Sequence, residues 1–223
     1  MTEANSKASE WEAPAKRERV ALLHGLGRSR GSMTIPLMLF RVNGFETLNV
    51  RYPSRSRPIE ELARIVADRL PADTVTTHFF THSLGGIVLR YLIRKYRPAN
   101  LGRVVMLAPP NRGSELARVL DKNPIFRVFM GPSAKQVALD ADGLDDLLGP
   151  VDFELGVITG TRRLGPISGL MASPNDGIVA VEETKIEGIA DTLIVNRGHT
   201  FVMNDPAVVA QAAYFFRRGR FRR

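Results

Sequence analysis

The sequence predicts an α/β protein: a mostly parallel central sheet of about six strands with helices on both faces. Two observations predict it. Short apolar runs alternate with amphipathic stretches from residue 20 to residue 216, the rhythm of strand–helix–strand units. The runs are short and apolar, as strands covered on both faces should be. A length of 223 residues fits one domain with a sizeable core better than two.

Val20 to His24 is the first strand and ends in a glycine-rich turn. Ser32 to Val42 carries Met33, Leu37, Met38 and Phe40 near helical spacing, with Pro36 placed in the first turn. Phe45 to Tyr52 reads as the second strand, closed by Pro53. Ile59, Leu62, Ala63, Val66 and Leu70 share one face of a helix over 59–70, with Pro58 at its start. Val75 to Thr81 is the third strand and Leu84 to Tyr96 the helix after it. Arg103 to Leu107 is the fourth strand, ended by Pro109 and Pro110. Leu155 to Thr159 and Thr192 to Val195 are the fifth and sixth, and Pro206 to Phe216 is the closing helix.

Three segments stand outside this rhythm. Residues 1–19 are polar and carry no apolar run, so they read as a flexible leader rather than a secretory signal. Residues 113–149 hold Leu116, Leu120, Ile125, Phe126, Val128, Phe129 and Met130 among prolines and glycines. They read as a short helical insertion after the fourth strand, either roofing a pocket or packing as a crossover. Residues 217–223 form a basic tail. Its five arginines account for much of the formal charge of +8, leaving about +3 for the rest, ordinary for a domain. The tail is expected to be solvated, with peripheral contact to an anionic membrane as the other reading. Nucleic acid is not expected, because no zinc-finger spacing or RNA-binding aromatic motif accompanies the charge.

Cysteine is absent, which removes disulfides, thiolate metal sites and cysteine nucleophiles together. This fits a cytoplasmic protein, although a mature periplasmic one could share it. No run of 18 apolar residues suggests a membrane span.

The chemistry-bearing segment is Thr81-His82-Ser83-Leu84-Gly85-Gly86. A strand enters it and an apolar helix leaves it, so Ser83 is lifted clear of the sheet end at a helix N-terminus. A side chain at Gly85 would collide with the preceding strand, and Gly86 lets the helix pack closely. The pattern differs from G-x-S-x-G at its first position, Thr81. The plain alternative is an ordinary strand-to-helix turn with Ser83 as a helix cap. His82 adjoins the serine and should point away from its reactive face, as a packing or substrate-site residue.

Acyl transfer also needs two N–H donors aimed at an oxyanion. Leu84, after the serine, supplies one. The turn Leu23-His24-Gly25-Leu26-Gly27 supplies the other through the main chain of Leu26, with Gly25 and Gly27 giving conformational freedom and His24 bracing the loop. The base is sought among His24, His78, His82 and His199. His78 sits near the start of its strand, at the wrong end, whereas His199 follows the last strand. Asp176, in Asn175-Asp176-Gly177-Ile178-Val179, follows the fifth strand and completes the order serine, acid, histidine. Asp152 and Asp191 precede or begin strands and should face the other end.

These segments resemble the α/β-hydrolase superfamily, in particular its lipase-like and PGAP1-like branch. The resemblance covers about residues 20 to 216; the departures are Thr81 and a compact build without the usual leading strands. It implies ester hydrolysis through an acyl-enzyme on Ser83, with Asp176 and His199 completing a triad, Leu26 and Leu84 forming the oxyanion hole, and His24, Gly25 and His82 near the substrate. It implies a small-molecule or lipid ester substrate and no cofactor or metal. An acyltransferase or thioesterase could use the same triad, and a catalytically silent binding module is the non-enzymatic alternative.

Arg28, Arg30, Arg51, Arg55 and Arg57 all follow the carboxyl ends of the first two strands. They suit an anionic substrate, or else a solvated rim paired elsewhere in the fold.

Overall fold

The computed structural model describes residues 18–122, 130–163 and 174–223. The leader up to residue 17 and Ile125, Phe126, Val128 and Phe129 of the insertion lie outside the described residues.

Six strands form one sheet in the order β2-β1-β3-β4-β5-β6, and every neighbouring pair is parallel. They are β1 (Arg19–Leu23), β2 (Glu46–Asn49), β3 (Thr77–His82), β4 (Leu101–Leu107), β5 (Leu155–Gly160) and β6 (Ile189–Val195). The principal helices are α1 (Thr34–Val42), α2 (Ile59–Ala67), α3 (Leu84–Tyr96), α4 (Glu115–Asp121), α5 (Pro132–Val137), α6 (Ala141–Leu148) and α7 (Pro206–Arg218).

The chain steps outward from β1 to β2, then reverses across β1 to reach β3. Right-handed crossovers running in opposite directions place their helices on opposite faces. Accordingly, Phe40 of α1 and Val209, Ala213 and Phe216 of α7 cover one face, against Val20, Leu22, Phe80 and Val105. Leu62 and Val66 of α2 and Ile87, Val88 and Leu92 of α3 cover the other, against Ala21, Leu23, Phe79 and Val104. Burying one such aliphatic side chain stabilises the fold by about 1.5–3 kcal/mol. The reversal also creates a crevice beyond the carboxyl ends of β1 and β3, where open α/β sheets bind ligands.

Two strands differ from the sequence expectation for physical reasons. β2 stops at Asn49 because its only ladder partner, β1, ends nearby: Leu22 pairs with Asn49. β6 begins three residues early, at Ile189. It is an edge strand with alternating exposure, so it shows no continuous apolar run.

The insertion is partly core. Leu144 and Leu148 of α6 join the α2–α3 side of the core, and buried Arg90 of α3 donates to the Gly149 carbonyl at 2.7 Å. Its α5 packs on the loop after β2. Ser133 Oγ donates to the Ser54 carbonyl at 2.7 Å, and Gln136 accepts from the Ile59 N–H at 2.7 Å.

The basic tail folds back instead of fraying. Phe221 is buried against Phe215, with ring centroids 5.0 Å apart. Its N–H donates to Asp191 at 2.8 Å, and Arg223 pairs with the same carboxylate at 2.7 Å. Asp191 is therefore occupied at the amino end of the sheet.

Candidate active site

β3 runs straight into α3 through Ser83, whose backbone lies at φ 53°, ψ −123°. A non-glycine residue held there costs about 1–3 kcal/mol, tolerated only where the surroundings impose it. Here the Ser83 N–H is tied to the Leu107 carbonyl at 2.9 Å, and the Gly86 N–H to the Ser83 carbonyl at 2.9 Å. The half-buried Ser83 makes no side-chain capping bond to α3, so helix capping does not account for the serine.

Gly85 is required by space, but the neighbour differs from the expected one. A Cβ there would lie 2.7 Å from the Leu23 carbonyl oxygen and 2.9 Å from that of His24. The collision is with the end of adjacent β1, not with the preceding strand β3. Thr81, in the position usually given to glycine, is fully buried. Its Oγ1 lies 3.3 Å from where a Gly86 Cβ would stand, so Gly86 makes the room that Thr81 uses.

Asp176 and His199 are brought together. His199 Nδ1 lies 2.8 Å from Asp176 Oδ2, and the His199 N–H donates to the Asp176 carbonyl at 3.0 Å. Asp176 Oδ1 accepts from the N–H groups of Ile178 at 3.0 Å and Val179 at 2.8 Å. The Asn-Asp-Gly turn is thus also the device that fixes the carboxylate. With an ionised Asp176, the proton of a neutral His199 belongs on Nδ1, which leaves a lone pair on Nε2.

The sequence did not single out Gly160. A Cβ there would come within 2.3 Å of the Arg197 carbonyl oxygen and 2.9 Å of Asp176 Cβ. The bare end of β5 is what allows the Asp176 and His199 loops to meet. Its signal was present only as a glycine ending an apolar run.

His82 packs directly against His199. Its Nε2–H donates to the His199 carbonyl at 3.0 Å, and the two rings are 4.7 Å apart. Burial pushes His82 well below the ordinary imidazole range, and the fields of His199 and Arg28 add to this. It is therefore a neutral strut holding the His199 loop. His24 is likewise 1% exposed. It stacks on Tyr52 at 4.2 Å, donates from Nδ1 to the Gly25 carbonyl at 3.0 Å, and its own carbonyl accepts from the Tyr52 hydroxyl. Both histidines brace the loops around them, and the sequence marks Tyr52 only as the end of a strand.

The loop after β1 turns back on itself, with the Arg28 N–H donating to the Gly25 carbonyl at 3.3 Å and Gly27 at φ 67°. The Gly27 N–H donates to Ser54 Oγ at 3.1 Å. Ser54 thus links the turn to Ser133 of the insertion. Gly25 packs against the Ser83 turn: a Cβ there would lie 3.0 Å from His82 Nδ1 and 3.3 Å from Ser83 Cβ. Leu26 is half-buried on this turn. Leu84 opens α3, where the N–H has no intrahelical acceptor.

His78 lies at the opposite end of β3, buried against Phe216 at 4.8 Å and accepting from the Arg103 N–H at 2.8 Å.

No protein-family model matches the sequence, and no curated protein matches it. Solved structures do. The mature form of the lipase BlEst2 from Bacillus licheniformis superposes with a TM-score of 0.72 at 16% identity, over 86% of this chain and 88% of that one. A metagenomic carboxyl esterase gives 0.65 at 19% identity, over 90% of this chain and 75% of that one. The phospholipase PlaB from Legionella pneumophila gives 0.59 at 22% identity, over 77% of this chain but only 45% of the longer relative. With its six-stranded parallel sheet, its two helical layers and its likeness to these lipases and esterases, the chain has the α/β-hydrolase fold.

Proposed function

We propose that the protein is a serine hydrolase that cleaves carboxylic esters through an acyl-enzyme on Ser83. The observation that carries this reading is the Asp176–His199 pair. A buried carboxylate, fixed by two amides and holding Nδ1 at 2.8 Å, leaves Nε2 as a base at the sheet end that also presents Ser83.

In the proposed reaction, His199 Nε2 takes the Ser83 hydroxyl proton as the oxygen adds to the acyl carbonyl. The Leu26 and Leu84 N–H groups hold the resulting oxyanion. Collapse breaks the C–O bond, and the leaving alcohol carries away the proton from His199. Water then adds to the acyl-enzyme, gives its proton to His199, and returns Ser83 with a free acid. Asp176 keeps the tautomer and stabilises the transient imidazolium without taking the proton itself.

The test uses short acyl esters and a fluorophosphonate. Wild-type protein should turn over the esters and be labelled at Ser83. Ser83→Ala should lose labelling and fall by about a million-fold in kcat if the triad acts as one unit. Undiminished turnover in pure Ser83→Ala protein would defeat the assignment. Adding alcohol acceptors separates hydrolysis from acyl transfer by the product formed.

A further inference from the structure

A cavity of about 910 Å³ opens beyond the carboxyl ends of β1 and β2, and Arg28, Arg30, Arg51 and Arg69 line it. Among the described residues, Arg19, Arg57, Arg90, Arg97, Arg103, Arg197 and Arg223 each have a carboxylate within ion-pair distance. The four cavity arginines have none. Three come from the two loops whose arginines stand out in the sequence, and Arg69 joins them from just beyond α2. Arg57, by contrast, is used up by Glu61 at 3.1 Å.

A half-buried member of such a set, with no counter-charge, loses hydration without compensation. Arg28 is that member: burial pushes its guanidinium below its ordinary range, with no acid to compensate. Its field reaches both His24 and His82. His24, which lines the cavity, immediately precedes Gly25, the residue packed against Ser83. His24 thus connects a wall of the cavity, through Gly25, to the turn that carries Ser83. Its other walls include Leu37, Tyr52 and Pro53, which offer apolar surface to a carbon skeleton beside the cations.

We propose that this cavity is a phosphoryl-binding subsite, and that the substrate is a carboxylic ester or thioester bearing a phosphate group. A lone carboxylate would be served by one guanidinium. A tetrahedral dianion with three free oxygens can engage several of these planar donor forks at once. The phosphate stays intact: only the acyl C–O or C–S bond breaks, and water supplies the oxygen of the acid and the proton of the leaving group. The proposal of substrate class rests on the hydrolase reading; phosphate binding itself does not.

Two measurements separate the two. The first is titration of Ser83→Ala protein with inorganic phosphate and with glycerol 3-phosphate, followed by calorimetry and thermal shift. Saturable binding is expected, weakened about tenfold or more by Arg51→Gln combined with Arg69→Gln. Both side chains are exposed and make no ion pair, and Arg69 donates only to the Ile65 carbonyl of α2, so the fold should survive; Arg28→Gln repeats the test at the half-buried member. Binding that is absent, or equal in all variants, overturns the subsite whatever the enzyme does.

The second compares kcat/KM for a neutral butyrate ester, for the butyrate ester of glycerol 3-phosphate, and for a short-chain phosphatidic acid in micelles. The ratio of phosphorylated to neutral ester should be well above one in the wild type, fall with added salt, and drop about tenfold in the double variant. Preference for the soluble ester marks a free phosphorylated metabolite; preference confined to micelles marks a lipid headgroup. A ratio near one overturns the substrate class. Loss of all ester turnover with phosphate binding intact would instead overturn the hydrolase reading.

Discussion

Two clusters of loops share the carboxyl edge of the sheet and are built on opposite terms. Around Asp176 the carboxylate and the His199 backbone are matched: one carboxylate oxygen takes two amides, the other takes the imidazole, and the backbone of His199 is held from both sides. In the cavity by the loops after β1 and β2, Arg28, Arg30, Arg51 and, from beyond α2, Arg69 line the wall with no carboxylate among the lining residues. A matched cluster has one geometry and little reason to recruit anything, which suits groups that must stay aligned through a reaction. An unmatched one leaves charged donors open to an anion, which suits recognition.

The first way to break this contrast is Asp176→Asn. It keeps the shape but lets His199 take the wrong tautomer, and kcat should fall by about 10⁴ with only a modest change in KM. If kcat changed less than tenfold, the matched cluster would be structural rather than reactive. Next in size is Gly160→Ala. Its methyl would press on the Arg197 carbonyl 2.3 Å away, displacing the base loop; about 100-fold in kcat and roughly 2–4 kcal/mol of stability should be lost. Kinetics and urea melts read the two effects separately.

Acid tests the buried histidines. Burial holds His24, His78 and His82 below their ordinary value of 6.5. Above pH 6.5 both folded and unfolded chains carry them neutral, and their contribution to stability is complete. As the pH falls below that value the unfolded chain binds protons first, so stability drops by up to about 1.4 kcal/mol per pH unit for each such histidine. The loss ends only below their folded-state pKa values. Denaturant melts between pH 7 and 5 should show the slope, and His82→Gln, which keeps a donor for the His199 carbonyl, should reduce it. An unchanged slope would mean that His82 is not held neutral.

Ser54→Ala leaves the Gly27 N–H without its acceptor and should cost about 1–3 kcal/mol, with a further fall in kcat if Leu26 serves the oxyanion. The smallest effect is expected on the unmatched side. Arg51→Gln should shift stability by no more than about 0.5 kcal/mol; a larger loss would reveal a structural partner for Arg51.

The legible parts of the molecule were local. The strand–turn–helix at Ser83 and the Asn175-Asp176-Gly177 turn announce themselves within six residues, and the long amphipathic face fixed α3 at both ends. Gly160, Ser54, Tyr52 and Arg69 were missed for one reason: each matters through a neighbour distant in sequence. Gly160 clears space for a loop 37 residues on, and Arg69 reaches the cavity from beyond α2. The clash at Gly85 was foreseen but laid to β3 instead of β1, because a one-dimensional reading sees only the strand that comes before. Tail docking was hidden likewise, since Phe221 and Asp191 are 30 residues apart.

The backbone of Ser83 carries a further consequence. At φ 53° glycine would sit without strain, so Ser83→Gly should make the protein more stable and chemically inert in one step. Selection for durability alone would therefore favour glycine here, and if the proposed reaction is what keeps the serine, a lineage relieved of that reaction would be free to drift toward glycine at this position.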